Sequence, residues 1–201
     1  MRNKEQYEEY KMKYDKVVAD IKQSITARNE KEAISCAKQL LEKMEIKTYP
    51  TPIVEVLNDL GFAVYAQRRI VPNISGYIVV DMDLMDAFNT DRVISIDRDD
   101  SLGRQRFTLA HELGHYLFDF DEKQLRYFNT YDDDRSDTEL EKVPSRFAAE
   151  FLMPEKFFRK RCNELKGYSN YYKVRTLMQD FQVSQKAVLK RFEELGIMLD
   201  A

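Results

Sequence analysis

Both histidines of this 201-residue chain lie in one stretch, Arg106-Phe-Thr-Leu-Ala-His-Glu-Leu-Gly-His-Tyr-Leu-Phe118. His111, Glu112 and His115 spell H-E-x-x-H. On an α-helix, side chains four residues apart share a face, with Cβ atoms about 5–6 Å apart. Both imidazoles can then converge on one metal ion at about 2.0–2.1 Å each. Glu112 lies one position round from His111. Its carboxylate can reach a water beside the ion but is badly placed to ligate it. The arrangement suits metal-assisted hydrolysis, with two nitrogen ligands and a general base.

A catalytic zinc takes three protein ligands, and no third histidine exists. The candidates are Asp137, Glu139, Glu141, Glu150 and the cysteines Cys36 and Cys162. Glu141 is favoured and Glu139 is second. Glu141 opens Glu-Lys-Val-Pro-Ser-Arg-Phe-Ala-Ala-Glu-Phe-Leu-Met-Pro154, a helix expected to start near Glu141 with Pro144 in its first turn. The intervening residues 119–138 read as a loop. Tyr127, Tyr131 or Arg135 within it could stabilise a developing oxyanion. Asp132, Asp133 and Asp134 lack the spacing and glycine of a calcium loop and read as solvated surface.

The elements that must position these residues follow from pattern. Phe107, Leu109, Ala110, Leu113, Leu117 and Phe118 make the H-E-x-x-H helix apolar on most sides, so it should be a buried central helix. Two imidazoles and a carboxylate are costly there unless paired or bound to metal. Gly114 is expected to let a neighbouring backbone come close. Asp100-Ser101 offers the N-cap. Three strand-like runs precede the helix: Phe62–Ala66, Ile74–Val80 and Arg92–Ile96. Before them, Thr51-Pro52 reads as N-cap and first residue of a helix over Pro52–Leu60, stopped by Gly61. A small sheet followed by a metal helix is an α+β order.

The chain opens with an amphipathic helix over residues 3–26, in which Tyr7, Tyr10, Tyr14, Val17 and Ile21 share a face. Asn29 and Glu32 form a capping box for a second helix through about Met44, and both helices are expected to pack on the core.

Composition excludes several classes. No stretch approaches the ~18–20 apolar residues of a membrane span, and the charged N-terminus shows no signal peptide. Two isolated cysteines argue against a disulfide scaffold and for a reducing cytoplasm. The net charge of −3 gives no global attraction to nucleic acid. Acids outnumber bases about two to one over residues 81–142, and residues 155–201 are mildly basic.

Arg106-Phe-Thr-Leu-Ala-His-Glu-Leu-Gly-His115, together with Phe147-Ala-Ala-Glu-Phe-Leu-Met-Pro154, resembles the ImmA/IrrE family of zinc metallopeptidases. The resemblance implies a small β-sheet packed on the central H-E-x-x-H helix, a gluzincin-like minimal core. This core is expected over residues 49–154, with a helical extension over 1–48 and a helical subdomain over 155–201. The family pattern E-x-x-A-N/D places the third Zn²⁺ ligand on Glu141. This chain departs from it at Pro144 and at Ser145, which can still hydrogen-bond a ligand histidine, more weakly than a carboxylate. The implied activity is a cytoplasmic endopeptidase, with one Zn²⁺ per chain, that cuts a repressor of the helix-turn-helix type. The implied alternative is a weak or inactive zinc-binding regulator. Residues 174–196 resemble a helix-turn-helix. Ser184 would cap its second helix, Lys186, Lys190 and Arg191 would face outward, and Gln182 stands where glycine often makes the turn. Packing or substrate docking is the expected role of this tail, ahead of DNA binding.

Overall fold

The computed structural model describes residues 15–68, 75–119 and 139–199, with the side chains of residues 139 and 140 excepted. In chain order the elements begin with helix α1 (residues 15–24), α2 (Glu30–Lys43), α3 (Ile53–Asp59) and strands β1 (Ala63–Gln67) and β2 (Gly76–Val80). A 3₁₀ turn (Met82–Leu84) runs into the short α4 (Met85–Phe88), then β3 (Arg92–Asp97) and α5 (Leu102–Phe118). The remainder is helical: α6 (Glu139–Leu152), α7 (Glu155–Glu164), α8 (Asn170–Phe181) and α9 (Gln185–Glu194). The α+β class expected from the sequence is the one observed.

The three strands lie within two residues of their expected positions; Ile74 falls outside the described residues. The sheet order is β1-β3-β2. β1 runs parallel to β3, from Ala63 opposite Val93 to Gln67 opposite Asp97. β2 runs antiparallel, from Gly76 opposite Ile96 to Val80 opposite Arg92. β3 is buried at every position, as a central strand covered by a helix must be. That helix is α5, which lies on β2 and β3 and packs its other side against α6.

The helix signals were legible to different degrees. Asn29 caps α2, accepting from the Glu32 backbone N–H at 2.9 Å. The reciprocal half of the box is missing, because the Glu32 carboxylate accepts from Thr26 Oγ1 at 3.1 Å. Ala33, Cys36, Ala37 and Leu40 bury one face of α2, which packs on α6. Val17 and Ile21 of α1 join the same core; Tyr7, Tyr10 and Tyr14 lie outside the described residues. Thr51 does not cap α3. The cap position is Pro52, and the Thr51 hydroxyl donates instead to the Phe151 carbonyl at 2.8 Å, a buried bond to the end of α6.

The C-terminal helices form the expected turn. Gln182 takes the left-handed conformation (φ 52°, ψ 51°) and Ser184 Oγ accepts from the Ala187 N–H at 3.2 Å. A Cβ on Gly103 would stand 2.8 Å from the Ser184 nitrogen, so this turn rests on the first turn of α5. Lys186 and Lys190 are exposed. Arg191 is not: it is 1% exposed. Its guanidinium pairs with the Glu150 carboxylate and donates to the Met153 carbonyl and to Glu194, each at 3.1 Å. Glu150 thereby leaves the set of ligand candidates. Glu194 also meets Arg146 at 2.5 Å, and Arg146 lies 3.6 Å from Glu30 of α2. Among the described residues, no helix is long and apolar enough to cross a membrane.

Candidate metal centre

α5 carries the two histidines. Ser101 caps it, with Oγ accepting from the Arg104 N–H at 3.4 Å, and every residue from Thr108 to Leu117 is buried. Gly114 lets α6 approach. A Cβ there would lie 2.9 Å from the Pro144 Cα and 3.2 Å from its Cβ and carbonyl oxygen. α6 starts earlier than expected, at Glu139, which puts Pro144 inside the helix rather than in its first turn. Glu141 is the third residue of α6. The free N–H groups and dipole of a helix start favour a carboxylate there.

The approach brings three donor atoms together. His111 Nε2 lies 2.9 Å from Glu141 Oε2 and 3.0 Å from His115 Nε2, and His115 Nε2 is 3.4 Å from the same Glu141 oxygen. Tetrahedral ligands at about 2.0–2.1 Å from a metal stand about 3.3–3.4 Å apart. The observed triangle needs to open by only tenths of an ångström to fit one. His111, His115 and Glu141 are all buried, and they form a group able to hold a metal among the described residues. The side chain of Glu139, the second candidate, lies outside the described residues, as do Asp137, Tyr127, Tyr131 and Arg135. Cys36 is buried on the inner face of α2, with its thiol pushed up to about 12 by burial.

The far side of each ring is also supported. Ser145 Oγ lies 3.3 Å from His111 Nδ1, the contact its position allows. Asp119 Oδ2 lies 2.6 Å from His115 Nδ1. Arg28 grips the same carboxylate, with Nε 2.6 Å from Oδ1 and Nη2 3.1 Å from Oδ2. Sequence reasoning missed both. Asp119 had a signal, since it stands four residues after His115 on the same helix face; Arg28, 91 residues away, had none.

Electrostatics follow from burial. Glu112 is fully buried, and neither of its carboxylate oxygens has a hydrogen-bond partner. Burial pushes its pKa up to about 8. Burial lowers His111 to about 4. For His115, burial opposes the charge, but its hydrogen bonds to Asp119 and Glu141 outweigh it and raise the pKa to about 9. Burial likewise opposes the charge of Glu141, and the two histidines overcome it, bringing the carboxyl down to about 2. An unpaired buried carboxylate and a tight nitrogen–nitrogen–oxygen triangle are costly in an apolar interior. A divalent cation is the partner that this donor set fits.

The family model described as the IrrE N-terminal-like domain, Peptidase M78, matches residues 78–193. The chain belongs to the IrrE N-terminal-like family. The matched segment holds the whole donor triangle, Glu112, Asp119 and Ser145, and excludes Arg28, α1 to α3 and β1. Within curated proteins, the chain is similar to Metallopeptidase ImmA of Bacillus subtilis (strain 168), 30% identical over 92 residues. That alignment covers 43% of this chain and 53% of ImmA, so the chain spans about half the length of the relative. The resemblance to the ImmA/IrrE family seen in the motifs is thus supported by two comparisons.

Proposed function

We propose that this IrrE-like protein is a zinc-dependent endopeptidase. The observation that carries the reading is the buried triangle of His111, His115 and Glu141 with the unpartnered Glu112 carboxylate beside it. His111, His115 and Glu141 would hold one Zn²⁺. When bound, the ion supplies Lewis acidity that polarises the scissile carbonyl and acidifies the attacking water. Glu112 takes the proton of that water and returns it to the leaving amine nitrogen. Its burial raises its proton affinity, the direction a general base needs, and no competing hydrogen bond holds either oxygen. Asp119 and Ser145 keep the ring nitrogens that face away from the triangle occupied, which favours one orientation for each imidazole.

The substrate in this reading is a helix-turn-helix repressor in the cytoplasm. Its support is the resemblance to ImmA/IrrE proteins. The competing idea, DNA binding through residues 174–196, loses support from the burial of Arg191, which removes one of three expected phosphate contacts. Co-expression with the repressor of a neighbouring gene tests the proposal. Wild type should yield defined fragments and carry one zinc per chain. Glu112→Gln should keep the zinc and lose cleavage. Undiminished cleavage by that variant removes Glu112 from the mechanism, and purified protein that takes up no zinc ends the enzymatic reading.

A further inference from the structure

Arg28 lies before the Asn29 cap of α2, outside the segment shared with the family. Its guanidinium nevertheless reaches the end of α5 and holds both oxygens of Asp119. Asp119 in turn sits 2.6 Å from His115 Nδ1. The ring's other nitrogen, Nε2, faces His111 and Glu141. A carboxylate on one imidazole nitrogen fixes the tautomer and the ring plane presented to a metal, and a bidentate arginine fixes the carboxylate. The side chain of Asp119 is 13% exposed and that of Arg28 is 29% exposed, so the pair lies at the edge of the interior. Arg28 is not free to wander. The α2 cap follows it, and the buried face of α2 is packed on α6, the helix that carries Glu141. The N-terminal segment thus touches the centre twice, through α6 and through Asp119.

We infer that Arg28 is a positioning residue of the metal centre. By clamping Asp119 against Nδ1 of His115, it directs Nε2 of that ring toward the shared ligand point. The inference rests on the metal-site reading of the donor triangle.

The test uses full-length protein with Zn²⁺ or Co²⁺ alone, so no substrate is needed. Chelator competition gives the zinc affinity, the cobalt absorption spectrum reports ligand geometry, and unfolding of the chelated protein reports the fold. Asp119→Asn should weaken zinc binding by about 10–100-fold, as for other partners of metal-bound histidines. Arg28→Gln should weaken it by about tenfold and alter the cobalt spectrum, and Arg28→Lys should recover part of the loss through a single contact. The chelated Arg28 variants should unfold near wild type, because a partly exposed ion pair adds little to stability. Wild-type affinity and spectrum in Arg28→Gln would overturn the inference. Weaker binding matched by an equal loss of fold, without rescue by lysine, would also overturn it, showing Arg28 to be merely structural. If wild type itself bound neither ion, the metal-site reading would fall first.

Discussion

Gly114→Ala is the substitution whose sign separates the observed helix packing from the alternative. In an exposed or loosely packed helix, alanine in place of glycine stabilises by about 1 kcal/mol. Here the new methyl would stand 2.9 Å from the Pro144 Cα and 3.2 Å from its carbonyl oxygen. Ordinary carbon contacts lie at about 3.5–4.0 Å, so α6 must retreat by roughly 0.5–1 Å. The obstacle is backbone, which cannot swing aside as a side chain would. Overpacking of this kind costs about 1–3 kcal/mol; the propensity gain leaves a net loss of about 0–2 kcal/mol. Glu141 lies three residues before Pro144 on the same helix and moves with it. Zinc affinity should fall by about tenfold or more, the scale on which disturbed ligand support acts. Urea unfolding of chelator-treated protein measures the first effect, and chelator competition measures the second. A variant more stable than wild type by the full propensity gain, with unchanged zinc affinity, would refute the close approach of α5 and α6.

Two further outcomes follow from buried charge. Arg191→Met should destabilise by about 3–5 kcal/mol, because it strands the Glu150 carboxylate in the interior; Glu150→Leu added to Arg191→Met should recover much of that in equilibrium unfolding. Chelator-treated protein should lose stability as the pH rises from about 6.5 through 9. His115, raised to about 9, binds a proton in the folded state that the unfolded chain has released, so its contribution is full below that window and gone above it. Glu112, raised to about 8, acts in the same direction from about 4.5 upward. Asp119→Asn should flatten the slope between pH 8 and 9 in urea titrations, and an unchanged slope would exclude Asp119 as the support of the His115 charge.

Local signals proved legible where a residue acts on its own helix or turn. H-E-x-x-H placed both imidazoles on one face, Asn29, Ser101 and Ser184 cap as their spacing predicts, and Gly114 marks a close approach. Glu141, at the head of its helix motif, is the carboxylate that meets the histidines. What stayed hidden depends on partners distant in sequence. Arg191 has the pattern of an outward-facing base, and only Glu150, 41 residues away, explains its burial. Thr51 has the composition of a cap, but a carbonyl 100 residues away takes its hydroxyl. Arg28 has no local mark at all, because its role exists only once α2 has docked on α6.

The chain of charges from Glu30 through Arg146 and Glu194 to Arg191 and Glu150 has a practical corollary. Early and late portions of the polypeptide are riveted to the same central rod, the one bearing Glu141. A protease clip that removed α9 would strip Arg191 from Glu150 and Glu194 from Arg146, and would uncover Phe158, which packs on Phe192. Shortened forms of this polypeptide should therefore be adhesive and prone to precipitate, and the intact chain should resist being taken apart in pieces.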